Sequence, residues 1–213
     1  MGENEMLHLK DYRVIYPNTP ALHYREIHVR KGETVGLFGP SGCGKTSLLE
    51  SLFSVEFAGR TEYSLALLDG KPIPGPGAEL YRTVSYCPQF SQAALNPKMT
   101  IQEHLHVMLE GNGIKEDPDE IREMLWRLKL DEALLKRRPG GLSGGQQQRM
   151  VLLLCAMKRP RLMVLDEPSS AIDLITQKDI VTFLEGFKGR CSVLMVAHSR
   201  PLLERLCETM IEL

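Results

Sequence analysis

Two groups of residues in this sequence have the types and spacing to handle a phosphate. The first is Gly39-Pro40-Ser41-Gly42-Cys43-Gly44-Lys45-Thr46, with Ser47 following, which matches the phosphate-binding loop pattern in full. Its glycines let backbone N–H groups turn inward around phosphate oxygens, and a helix starting there would present its positive dipole end to the same anion. Lys45 is placed to reach the outer phosphates, and the Thr46 hydroxyl to ligate Mg²⁺. The second group is Asp166-Glu167, directly after the apolar run Leu162 to Leu165. An Asp-Glu pair alone is ordinarily solvated charge at a strand end. Beside a phosphate loop it becomes a metal carboxylate, Asp166, and a general base, Glu167, for polarising an attacking water.

The elements needed to position these groups are legible. Thr34 to Phe38, Thr83 to Tyr86, Leu162 to Leu165 and Ser192 to Ala197 are short apolar runs ended by turn or polar residues. They read as buried strands of a parallel α/β sheet. The phosphate loop falls between the first of them and the apolar-periodic helix of Leu48, Leu49, Leu52 and Phe53. Glu62 to Leu68 leads into the turn pair Asp69-Gly70 and then a Pro/Gly-rich loop from Lys71 to Gly77, which predicts a small antiparallel layer beside the parallel core. From about Ser91 to Lys158 no strand is predicted, and Ile121, Met124, Leu125 and Leu128 share a helical face. That stretch reads as a helical insertion, dividing one domain over 1–213 into a catalytic core, 1–90 and 159–213, and a helical subdomain, 91–158. Ile180, Val181, Phe183, Leu184 and Phe187 mark a further amphipathic helix.

Composition narrows the function classes. The 213 residues are enough for one catalytic unit, and a formal net charge of −1 gives no reason to expect a nucleic-acid partner. The basic run Lys136-Arg137-Arg138 reads as a solvated face. The five cysteines form no CxxC pair and no His/Cys cluster at metal-ligand spacing, so reduced thiols are expected. The polar, acidic start lacks the features of a secretory signal. The longest apolar run, Val151 to Met157, is far shorter than the roughly 20 residues that span a bilayer. A soluble chain is expected, reaching a membrane only through a partner.

Leu142-Ser143-Gly144-Gly145-Gln146, followed by Gln147-Gln148-Arg149, resembles the signature that sets ABC (ATP-binding cassette) ATPases apart from other phosphate-loop proteins. Physically, Ser143 is a good N-cap for a helix running into Val151 to Met157. The resemblance covers essentially the whole chain. It implies a phosphate-loop NTPase fold, ATP and Mg²⁺ as ligands, and a head-to-tail dimer with a second ABC ATPase subunit, identical or related. In that dimer each ATP lies between the phosphate loop of one chain and the signature helix of the other. Carried over position by position, Tyr16 resembles the aromatic that stacks on adenine. Gln89 resembles the glutamine that touches Mg²⁺ and the water, Asp173 the loop acid at the dimer contact, and His198 the histidine that contacts the γ-phosphate. Ile172 replaces a usual leucine, and Ala197 and Ser199 flank His198 where Thr and Asp are common. None of these changes removes a reacting group.

The resemblance further implies an ATPase working at the cytoplasmic face of a membrane with separate transmembrane permease subunits, and with a solute-binding protein if the system imports. Leu95-Asn96-Pro97-Lys98-Met99-Thr100 looks like the corresponding stretch of peptide and nickel importers, where the helical subdomain receives a coupling helix. Longer importers of that group carry a C-terminal cysteine cluster with no counterpart here, so a short form is expected. An exporter ATPase and a non-transport ABC ATPase remain alternatives, because they share the catalytic motifs.

Overall fold

The computed structural model describes residues 4–89, 94–168 and 174–213. In chain order the strands are β1 (Glu5–Lys10), β2 (Arg13–Ile15), β3 (Leu22–His23), β4 (Ile27–Arg30), β5 (Thr34–Phe38), β6 (Arg60–Glu62), β7 (Leu65–Leu68), β8 (Lys71–Pro72), β9 (Val84–Cys87), β10 (Leu162–Asp166), β11 (Ser192–Val196) and β12 (Thr209–Glu212). The helices are α1 (Lys45–Phe53), α2 (Ala78–Thr83), α3 (Ile101–Gly111), α4 (Pro118–Arg127), α5 (Gly144–Met157), α6 (Leu174–Glu185) and α7 (Arg200–Leu206).

The five strands in the order β12-β5-β11-β10-β9 form an entirely parallel sheet. Every residue of β10 and β11 is buried, as expected of central strands covered on both faces. Their side chains alternate between two cores. Leu162, Val164, Leu194 and Val196 pack with α1 and the antiparallel layer, whereas Met163, Leu165, Val193 and Met195 pack with the helices of the opposite side. Helix α1 is thus sandwiched between two sheets. Burying Leu48, Leu49, Leu52 and Phe53 there contributes about 1.5–3 kcal/mol each, which anchors the loop that precedes them.

The antiparallel layer is larger than the sequence suggests. It comprises a four-stranded sheet, β4-β1-β7-β8, and a three-stranded one, β3-β2-β6. Asp69 and Gly70, with φ of 51° and 75°, close the β7–β8 turn. Within Glu62 to Leu68 the chain changes sheets at Tyr63-Ser64, where the Ser64 hydroxyl lies within hydrogen-bond distance of Lys10 O and of the Asp11 carboxylate. Lys71 and Pro72 belong to a strand, not to the loop, and pair with Leu68 and Leu67.

Between Ala94 and Lys158 the structure is helical. Thr100 caps α3 in a reciprocal box with Glu103, and Asp117 caps α4. Helix α5 packs against α3 and α4 and against strand β9, where Ser85 Oγ donates to Cys155 O (3.0 Å) and Lys158 Nζ to Val84 O (2.8 Å). Its apolar residues share one continuous core with the helical layer and the sheet. The element that begins with Ser143 is therefore bolted to the strand that ends near Gln89. Among the described residues no helix is long and apolar enough to cross a membrane.

Candidate functional site

The phosphate loop joins β5 to α1. Gly44 precedes the helix with φ of 99°, and no side chain among the described residues caps the helix start, which leaves its first N–H groups to face an anion. Only glycine fits at 44. A Cβ there would lie 2.7 Å from the Tyr24 hydroxyl oxygen and 2.9 Å from Leu22, and the φ is one that side chains disfavour. Tyr24 holds this geometry by donating to Gly44 O at 2.8 Å, and burial pushes its phenol pKa up, so it stays a donor. The Lys45 ammonium is buried and folded back onto the loop, donating to Gly39 O (2.8 Å) and Pro40 O (2.9 Å).

Asp166 and Glu167 end β10 but face different surroundings. The chain turns through a left-handed Glu167, φ 49°, pinned by its N–H to Val196 O at 2.9 Å. Asp166 is fully buried, and no hydrogen-bond partner among the described residues reaches either carboxylate oxygen. Burial pushes its pKa up to about 6, against the pull of the nearby Thr46 hydroxyl and with the help of the neighbouring Glu167 charge. An orphaned buried carboxylate near a hydroxyl, in a cleft that Gln89 also lines, suits a hard, oxygen-seeking cation such as Mg²⁺.

Glu167 is engaged from both sides. Gln89 Nε2 donates to its Oε2 at 2.8 Å, and His198 Nε2 lies 2.5 Å from its Oε1. His198 is half exposed whereas Glu167 is buried. A cavity of about 250 Å³ is lined by Ser41, Gly42, Lys45, Thr46, Gln89, Glu167 and His198 among others, so the structure brings these predicted residues together. A second cleft, about 880 Å³, runs from Asp166, Thr46 and Gln89 past Phe53 and Tyr86 to Leu95, Met108 and Leu154 of the helical layer. Thr46 and Gln89 line both.

Other predicted residues lie elsewhere. Ser143 caps α5 in a reciprocal box with Gln146, and neither these two nor Gly144 and Gly145 line either cavity. Tyr16 packs edge-on against Phe57, with ring centroids 5.7 Å apart. Asp173 lies outside the described residues. Sequence reasoning missed Leu22 and Tyr24, which touch the loop from β3 and the turn after it. It also assigned no part to Gln148, whose buried amide donates to Pro168 O at 3.1 Å and so ties α5 to the segment behind Glu167. In the sequence Gln148 stands only within the string that follows the signature, with no role of its own.

Comparison with known proteins fits this geometry. The ABC transporter family pattern matches residues 22–170. The Fe(3+) ions import ATP-binding protein of Mesorhizobium japonicum is 36% identical over 170 residues, spanning 78% of this chain and 46% of that protein. A spermidine/putrescine import ATP-binding protein of Pseudomonas aeruginosa is 36% identical, over 84% of this chain and 49% of its own length. The nickel import ATP-binding protein of Shigella dysenteriae is 32% identical, over 84% and 69% respectively. The chain thus spans about half the length of the iron and polyamine relatives. Among solved structures, the ATP-binding subunit of an ABC transporter superposes with a TM-score of 0.84 at 22% identity, over 98% of this chain and 85% of that one. A dimeric ATP-binding cassette bound to ADP and phosphate superposes with a TM-score of 0.76 at 24% identity, over 98% and 94%. With the phosphate loop, the paired carboxylates and the capped signature helix in place, the chain belongs to the ABC transporter family.

Proposed function

We propose that this chain is the ATP-binding and ATP-hydrolysing subunit of an ABC importer, acting at the cytoplasmic face of a membrane through separate membrane-spanning subunits. The observation that carries the hydrolytic reading is the pairing of an orphaned buried carboxylate, Asp166, with an adjacent carboxylate held between Gln89 and His198. Thr46, Asp166 and Gln89 would hold Mg²⁺, which neutralises charge on the phosphates when bound. The loop N–H groups and Lys45 bind and orient the phosphates, and Lys45 exchanges its two loop carbonyls for phosphate oxygens. Glu167 takes the proton of the attacking water. Gln89 and His198 each contact one oxygen of Glu167, which orients the carboxylate and leaves it lone pairs to accept from a water. Gln89, at the end of β9, lines the wall shared by the phosphate cavity and the larger cleft, which makes it the element that reports nucleotide state to whatever fills that cleft.

That occupant is proposed to be a coupling helix of the permease, because the cleft opens between α1 and the helical layer beside the segment at Leu95. Import is favoured by relatives named as import ATP-binding proteins. Their cargoes, iron, polyamines and nickel, differ at similar identities, so the solute is selected by other chains, with a solute-binding protein among the proposed partners. Completion of the site by Ser143 to Gln146 and Asp173 of a second ABC subunit, with Tyr16 on the adenine, is part of the same proposal. Mild-detergent capture of the tagged chain from its native membranes tests it. Recovery of a polytopic permease supports the reading, and capture of soluble proteins alone, while control membrane complexes survive, refutes it.

A further inference from the structure

On the solvent face of the four-stranded sheet, away from both cavities, two histidines and two glutamates converge. Strands β1 and β4 pair so that His8 stands directly opposite His28, and their rings lie 3.9 Å apart. Regular alternation would put Glu5, three residues before His8, on the opposite face. The register is broken between Glu5 and Leu7. That irregularity leaves Met6 and Leu7 both buried and turns Glu5 outward beside His8. Glu5 Oε2 then lies 3.3 Å from His8 Nδ1, and Glu5 Oε1 3.4 Å from His28 Nδ1. On the other side of the rings, Glu26 Oε1 lies 2.8 Å from His8 Nε2 and 3.3 Å from His28 Nε2.

We propose that Glu5, His8 and His28 bind a divalent transition-metal cation of the zinc, nickel or copper type, with Glu26 holding the outer nitrogens of both rings. The ligand atoms of the three lie within 4.8 Å of one another. Bonds of about 2.0–2.1 Å in a tetrahedral shell place neighbouring ligands about 3.3–3.4 Å apart; each Glu5 oxygen stands at that spacing from one of the two Nδ1 atoms, and a turn of the carboxylate brings a single oxygen to both. Imidazole and carboxylate together suit these borderline cations. Glu26 supplies the carboxylate-to-histidine contact that fixes tautomer and ring orientation in such sites, leaving each Nδ1 lone pair toward Glu5. His8 is mostly covered, whereas His28 is 44% exposed, so one ligand is rigid and the site is open to an entering ion and its water. A bound ion would clip β1 to β4. The nineteen residues between His8 and His28 hide this cluster in the sequence.

Titration of the full nucleotide-free chain with Co²⁺, in excess Mg²⁺, tests the assignment by stoichiometry and visible absorption. The proposal predicts one equivalent bound through nitrogen and oxygen, without a thiolate charge-transfer band. It predicts an affinity lowered about 10–100-fold in Glu26→Gln and the equivalent lost in the His8→Ala/His28→Ala double variant, while ATP binding by both variants matches the parent. Failure to bind Co²⁺, binding with a thiolate band, or stoichiometry and affinity unchanged in the double variant would overturn it and leave an ion-pair cluster alone. Because ATP binding is read in parallel, that failure is distinct from failure of the proposed function.

Discussion

Replacing Asp166 with asparagine should stabilise the nucleotide-free chain while disabling it. Burial holds the Asp166 carboxyl near about 6 instead of 3.8. Because the folded pKa lies above the unfolded one, the folded state binds the proton more tightly, and stability falls as pH rises through that interval. The penalty is absent below about pH 4, grows between about 4 and 6, and is complete above. At about 1.4 kcal/mol per pH unit it amounts to about 3 kcal/mol at neutral pH. The asparagine amide lacks partners too and returns part of this, leaving a net gain of about 1–2 kcal/mol. For a chain of this size that is a rise of about 2–8 °C in Tm. Thermal melting in excess EDTA, from pH 4.5 to 8, should show the variant's advantage opening as pH rises to about 6 and then holding level. In saturating Mg²⁺ and ATP the ranking should reverse, since ligand at a hundredfold excess over Kd adds about 2.7 kcal/mol to a competent site. An asparagine variant that melts at or below the parent throughout, or whose advantage is the same at both ends of the range, would refute the argument.

Gly44→Ala should lower Tm and abolish ATP binding together, since its Cβ would sit 2.7 Å from the Tyr24 hydroxyl at φ 99°; melting and equilibrium nucleotide titration read both. Ser143→Ala removes the N-cap of α5 and should cost about 1 kcal/mol, while single-chain ATP binding persists and ATP-dependent dimerisation, followed by sedimentation, is lost. Lys45→Ala removes a buried charge and should weaken ATP binding by about 2–5 kcal/mol, about thirtyfold or more in Kd by calorimetry.

What the sequence discloses is governed by the range of the interactions involved. The strand, loop and helix around Lys45, and the apolar run ending in Asp166-Glu167, are local patterns whose physics is complete within a dozen residues, so they were legible. The partners of Glu167 were named only by resemblance to a family. Nothing local predicts that the ends of β9, β10 and β11 bring Gln89 and His198 to the same carboxylate. The strands missed were short or irregular. β2 and β6 have three residues and β3 two, while β1 carries adjacent buried Met6 and Leu7 that hide its alternation. Its pairing with β4 and β7 joins residues far apart in the chain, and α2, with six residues, is too short to show a period. Tyr24 escaped notice because its bond to Gly44 depends on those missed strands.

The central claim, that Glu167 activates water at a nucleotide held by the Lys45 loop, is tested most directly by comparing Glu167→Gln with the parent for Mg²⁺-dependent phosphate release and for retention of bound ATP. The account predicts phosphate release reduced about 100-fold or more, with ATP still bound and the dimer it closes still formed. Phosphate release at the parental rate from the variant would contradict it.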